Sequence, residues 1–187
     1  MKNEILFCIA HLRRIKKDFF FCLIKKGNVT DWKKYQPERK AAVMGKLIAL
    51  SCPDCGYHFV AKYGIGKTDL AAGTKDFPSE EEREVGVNFS QYIVDNPHEL
   101  VFIRNLIREH RPVMLKTWEH QPYVCPHCAR LYNRFTYHFL FKDGDFMPSF
   151  TCLDCGRVLE KVPMSHTILC PKCKKKNLIV DSITPWE

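Results

Sequence analysis

Between Leu131 and Lys142 the chain alternates with period two: Phe135, Tyr137, Phe139 and Phe141 fall on one face, and Arg134, Thr136, His138 and Lys142 on the other. This is the pattern of a half-buried strand. Aromatic rings beside basic residues can stack nucleic-acid bases, but a small protein buries the same stripe, and burial is the expectation. From Pro97 to about His110 the period becomes helical, with Leu100, Ile103, Leu106 and Ile107 on one face, Asn96 as N-cap and Pro97 at the first helical position. Ser79 followed by Glu82 forms a capping box and predicts a second, short helix whose acidic first turn suits the helix dipole. Met44 to Ser51, Tyr57 to Ala61, Val113 to Trp118, Pro122 to Cys125 and Asn177 to Asp181 read as extended segments, with Trp186 packing behind the last. These elements predict an α+β fold. His98, Glu99 and Glu109 on the longer helix read as solvated face residues.

The extended segments meet four cysteine pairs of one spacing: Cys52/Cys55, Cys125/Cys128, Cys152/Cys155 and Cys170/Cys173. A two-residue spacer lets a tight turn aim both sulfurs at one ion, and two such knuckles complete a tetrahedral four-thiolate site. Four pairs therefore predict two structural zinc ions and a small zinc-stabilised fold of ribbon hairpins with a helical insertion. Disulfides or thioredoxin-like chemistry fit less well, because a redox motif opens a single helix in a βαβ unit. Gly56 and Gly156 follow two of the knuckles, where positive φ is needed, whereas Ala129 and Lys174 follow the others and must make the turn without glycine. His127, inside a knuckle whose two ends are already Cys, is expected to face solvent.

Spacing permits several pairings of the knuckles. The last two, 14 residues apart, fit a zinc ribbon with Arg157 to Val162 and Ser165 to Leu169 as a hairpin at Pro163-Met164, leaving the first two to join across 69 residues. The rival joins Cys125/Cys128 to Cys152/Cys155 across 23 residues, around a hairpin of Leu131 to Lys142 with Phe146 to Thr151, and sends Cys52/Cys55 to Cys170/Cys173. Loop closure favours the first arrangement. The expected organisation is then a basic extension over 1–43, a zinc-ribbon domain with the helical insertion over 44–149, and a C-terminal ribbon over 150–187.

Cys52-Pro-Asp-Cys55-Gly56-Tyr57, the Gly64-Ile65-Gly66 loop, the helical insertion before Tyr123-Val124-Cys125-Pro-His-Cys128, and Cys170-Pro-Lys-Cys173 with Trp186 near the end resemble a group of uncharacterised bacterial double zinc-ribbon proteins carrying four such pairs. The likeness spans about 44–187. It departs at Lys67, where the group has Met, and at Ala129 and Lys174, where it has glycine. It implies metal ligation at the eight paired cysteines and no particular activity.

The formal charge of +8 sits almost wholly in residues 1–43, which hold 11 Lys and Arg against 4 Asp and Glu. The other 144 residues hold 18 against 17, and eight zinc-bound thiolates would bring that body to about −3. Global charge thus gives no phosphate-binding body, although Arg134 and the cluster Lys172, Lys174, Lys175 and Lys176 are candidate nucleic-acid contacts. Residues 1–43, which also carry Cys8 and Cys22, read as a basic amphipathic helix, a targeting segment, or upstream sequence ahead of a true start at Met44. No run reaches the roughly 18 apolar residues of a membrane span, and a cytoplasmic location is expected. The Gly64 to Thr68 loop is not a P-loop, since Ala61 stands where that motif needs glycine.

The function expected from these features is a structural-zinc binding module, with regulation among the roles open to it, whose partner is a protein or a nucleic acid. The competing reading is a metal-dependent hydrolase or transferase with His120, His138 and His166 as acid/base groups. Complete cysteine pairs predict closed sites rather than the open coordination position that catalysis needs, so no enzymatic activity is expected.

Overall fold

The computed structural model describes residues 44–67, 77–94, 96–164, 167–175 and 177–186. Residues 1–43, including Cys8 and Cys22, and also Thr68, His166 and Lys176 lie outside them. Two antiparallel sheets carry the architecture, an α+β fold. The smaller has the order β2-β1-β7, from β1 (Lys46–Ser51), β2 (His58–Tyr63) and β7 (Ile179–Pro185). The larger has the order β5-β4-β3-β6, from β3 (Met114–Val124), β4 (Leu131–Phe141), β5 (Gly144–Phe146) and β6 (Glu160–Lys161). Among the described residues, three helices lie between β2 and β3 in the chain: α1 (Glu80–Val85), α2 (Phe89–Tyr92) and α3 (Pro97–Glu109).

The alternation in β4 does what the pattern predicts: Phe135, Tyr137, Phe139 and Phe141 are all buried, and they form one core with Val87, Phe89, Ile103 and Ile107 from the helical insertion. Phe89 meets three of the four rings edge-on, at centroid distances of 5.5 to 6.1 Å, a geometry that suits the ring quadrupoles. The stripe is core, and among the described residues no cysteine belongs to it. It is larger than expected of a protein held in shape by metal alone.

The helices start where their caps place them. Glu82 N–H donates to Ser79 Oγ at 3.2 Å and Ser79 Oγ–H donates to Glu82 Oε2 at 3.0 Å, so the serine side chain caps the helix and holds the Glu82 carboxylate. Glu82 is fully buried, and its carboxylate is satisfied by Arg104 of α3 at 2.8 Å and by Ser90. Glu81 pairs with Arg108 at 2.8 Å, so two charged contacts clamp α1 to α3. Glu99 departs from expectation. It is only 8% exposed, and it accepts the Tyr137 hydroxyl at 3.4 Å instead of facing solvent. Burial pushes its pKa up to about 7 against the pull of Tyr137 and Arg134.

Two other expectations fail locally. Val113 to Cys125 is not two extended pieces but one strand, because β4 pairs along nearly all of it. Of the hairpin expected from Arg157 to Val162 with Ser165 to Leu169, Ser165 and His166 lie outside the described residues, and the described part pairs elsewhere. β6 pairs with β3, placing Lys161 opposite Tyr123 and Glu160 opposite Val124, and Leu169 bridges to Asn177.

The sheets join along β2 and β3. Gly64 and His120 exchange backbone hydrogen bonds at 2.9 Å, and Gly64 has φ of 76°, which a Cβ would strain. Asn133 of β4 fastens the same seam with its side-chain amide, accepting from Lys62 N–H at 2.9 Å and donating to Val60 O at 2.8 Å. Trp186 N–H donates to Gly45 O, and the indole packs 5.0 Å from the His120 ring, anchoring the last described residues as expected.

Candidate metal centres

All four knuckles make the same turn. The residue after the second cysteine donates its N–H to the carbonyl of the first: Gly56 to Cys52 and Lys174 to Cys170 at 3.0 Å, Ala129 to Cys125 at 2.9 Å, Gly156 to Cys152 at 2.8 Å. That residue is left-handed in every case, with φ of 65° and 69° at Gly56 and Gly156, and 60° and 57° at Ala129 and Lys174. The two knuckles lacking glycine therefore make the turn by accepting an unfavourable backbone at a non-glycine residue.

The turns bring the eight sulfurs into two groups of four. Cys52, Cys55, Cys170 and Cys173 form one and Cys125, Cys128, Cys152 and Cys155 the other, each with its sulfurs within 4.8 Å of one another. The pairing favoured by spacing is thus overturned, and the rival holds. Each tetrad takes one knuckle from 44–149 and one from 150–187, so neither site is local to either segment. The reason is β7: it pairs with β1 from Lys46 opposite Pro185 to Ser51 opposite Ile179, which carries the fourth knuckle to the first. Against that, the loop-closure difference between the two arrangements is only about 1 kcal/mol.

Sulfur separations test whether a metal fits. In the first tetrad Cys52 Sγ and Cys173 Sγ, like Cys55 Sγ and Cys170 Sγ, are 3.6 Å apart. In the second, Cys125 to Cys155 and Cys128 to Cys152 are 3.4 Å. A disulfide would hold sulfurs at about 2.05 Å, whereas a tetrahedron with roughly 2.3 Å metal–sulfur bonds has edges of about 3.8 Å. The observed edges are near the tetrahedral value, and all eight cysteines are free. Four soft thiolates in that arrangement suit zinc or iron.

Thiol electrostatics point the same way. Burial raises the Cys55 pKa to about 11, assisted by its three cysteine neighbours. Cys128 receives a lowering backbone hydrogen bond at Arg130, yet Cys125 and Cys152 push it up to about 12. Cys152 and Cys170 are brought down to about 6: burial opposes ionisation, but the Tyr132 hydroxyl and backbone N–H groups overcome it at Cys152, and the N–H groups of Cys173 and Lys172 do so at Cys170. In the first tetrad Cys170 is brought down while Cys55 is held up, and in the second Cys152 is brought down while Cys128 and Cys155 are held up, an arrangement that a divalent cation relieves.

The tetrads differ in surroundings. Cys52 and Cys170 belong to a core with Ile48, Leu50, Ala61, Tyr63, Leu131 and Leu178. Cys125 and Cys152 share a smaller cluster with Tyr123 and Leu159, and Cys155 is exposed. Tyr132 was not foreseen. Its hydroxyl lies 3.3 Å from Cys152 Sγ and supplies a hydrogen bond to that thiolate. In the sequence it reads only as a strand residue four positions after Cys128, which carries no such signal.

The remaining candidates are scattered. His127 is exposed, as expected. Arg134 lies on β4 over the rings of Tyr132 and Phe150, at 5.2 and 5.8 Å, and the structure does not bring it to Lys172, Lys174 and Lys175, which are exposed at the fourth knuckle. His120 is enclosed by Tyr92, Phe135 and Trp186, and burial, with Lys62 adding to it, lowers its pKa to about 4. His138 pairs with Asp145 at 2.7 Å. His120 lies opposite Phe135 in the strand register and His138 opposite Thr117, so the two imidazoles occupy opposite faces of the sheet. No described helix is long and apolar enough to cross a membrane.

No protein-family model, curated protein or solved structure matches the chain.

Proposed function

We propose that this protein is a binding module of the double zinc-ribbon kind, in which two structural zinc ions hold the sheets that present its surface to a macromolecular partner. One observation carries the metal reading: eight cysteines converge as two closed tetrads. A tetrad of four thiolates leaves no open position for substrate or water, which favours a structural over a catalytic ion. Zinc is favoured over iron because it needs no redox partner and holds a tetrahedral thiolate site without electronic preference. In these tetrads the four cysteines would hold the ion, and Tyr132 would steady Cys152 from outside.

Enzymatic activity is not part of this reading. His120 is neutral and enclosed by rings, and His138 faces the other side of the sheet, so the two cannot serve one reacting group. A protein partner is favoured over nucleic acid because β7 is exposed with three large aliphatic residues and no ring that could stack a base. The test is metal analysis of the purified chain with a chelator titration followed by circular dichroism. Two equivalents of zinc, and loss of structure as they leave, support the reading. Full retention of structure without metal, or visible absorption from bound iron, overturns it.

A further inference from the structure

β7 ends its sheet, and all seven of its residues are exposed. Among the described residues nothing pairs with its outer edge, which leaves a row of backbone N–H and C=O groups open to solvent. Proteins usually blunt such an edge with lysine or charge. β7 carries no lysine, and its single acid, Asp181, sits at a bulge and accepts from Ser51 Oγ–H at 2.8 Å, tied back to its own sheet. The strand instead exposes Ile179, Val180 and Ile183 by 50, 56 and 59%. Beside it a groove of about 50 Å³ is lined by Ile48, Leu50, Tyr63, Ile168, Leu178 and Val180. That is far below the roughly 300–1,000 Å³ of a small-molecule site, but it matches one small aliphatic side chain.

Charge says what covers this edge. At the C-terminal end of β7, Lys46 pairs with Pro185, Lys62 Nζ lies 5.3 Å over the Trp186 ring, and Lys67 N–H donates to Trp186 O. At the other end, Lys172 inside the fourth knuckle, with Nζ donating to Cys55 O at 3.3 Å, and Lys174 and Lys175 just after it are exposed. The only acids among the described residues of 44–67 and 170–186 are Asp54 and Asp181. A metal-loaded tetrad adds two negative charges, but on largely buried sulfurs. A second copy paired on β7 in either direction would set lysines against lysines. Residues 1–43, with 11 basic and 4 acidic groups, are repelled in the same way.

We infer that the outer edge of β7 docks an extended segment of a partner protein, with small aliphatic residues at alternate positions and acidic residues at both ends. The segment would add a fourth strand: main-chain hydrogen bonds to β7 supply affinity, one side chain enters the groove, and the terminal acids meet the two lysine groups. This rests on the binding-module reading and gives that module its partner class.

The experiment selects a random nonapeptide library displayed on phage against the metal-loaded full chain, then measures the enriched peptides in solution. Enriched sequences should alternate aliphatic residues between acidic ends. Replacing those acids by lysine should weaken binding at least tenfold, as should Val180→Lys or Ile183→Lys in the protein, and bound peptide should slow amide exchange at 179–184. Both positions are exposed, metal content and near-ultraviolet circular dichroism report the variants' folding, and the lysine-ended peptides test the charge on the unaltered chain. No enrichment, enrichment without acidic ends, indifference to the substitutions, or displacement by a single-stranded oligonucleotide would overturn the inference. Failure of the metal reading shows separately, as missing zinc before any peptide is added.

Discussion

The two sheets solve the same stability problem with different materials. The larger buries eleven residues, six of them aromatic, against three helices, and no cysteine is among them. The smaller has a core in which Cys52 and Cys170 are members and one of its three strands is wholly exposed. The first core is apolar throughout, whereas the second counts two sulfur ligands among its buried residues, so on the zinc reading the second would depend more on its ion. On that reading metal would matter unevenly: the tetrad of Cys52, Cys55, Cys170 and Cys173 joins segments 114 residues apart, and the other joins neighbours in the chain at the end of a sheet that has its own core.

This contrast is most exposed to Cys52→Ser or Cys170→Ser. Structural zinc is worth about 10–16 kcal/mol in peptide systems, comparable to or above the net stability of a domain, so either substitution should abolish ordered β1, β2 and β7 while amide protection persists in β4 and α3. Equal loss in both sheets would erase the distinction. Cys155→Ser should do less. Cys155 is exposed, and its tetrad should lose its ion first in a chelator titration, leaving the smaller sheet protected; simultaneous release of both ions would count against the ordering.

The helical core can be probed without touching a cysteine. Glu99 has its pKa raised to about 7 in the folded state, so it holds its proton there while the unfolded chain loses it near 4.5. Its stabilising contribution is complete at low pH and is lost as pH rises from about 4.5 through 7, to a total of ~3 kcal/mol. Glu99→Gln should remove that slope and raise stability at pH 8, measured by denaturant unfolding from pH 4.5 to 8; an unchanged slope would show the carboxyl is not buried neutral. The smallest effect expected is from Ala129→Gly and Lys174→Gly, which relieve left-handed backbone and should each stabilise by up to about 1 kcal/mol.

The sequence was most legible where local chemistry decides. Ser79 with Glu82, Asn96 with Pro97, and the Phe135 to Phe141 alternation each specified their element, and the spacing of the cysteines marked all eight members of the tetrads. It was least legible where distant segments compete for one edge. Nothing near Cys170 says that β7 will pair with β1, and the loop-closure argument weighed about 1 kcal/mol against an entire strand ladder. Glu99 was misread because helix periodicity assigns faces by polarity, and a carboxyl that bonds a buried tyrosine hydroxyl breaks that rule.

The measurement closest to the central claim is a proton–cadmium correlation spectrum of the chain loaded with ¹¹³Cd. Two cadmium resonances are predicted, one coupled to the β-protons of Cys52, Cys55, Cys170 and Cys173, the other to those of Cys125, Cys128, Cys152 and Cys155. A single resonance, or one coupled to Cys52, Cys55, Cys125 and Cys128, would contradict it.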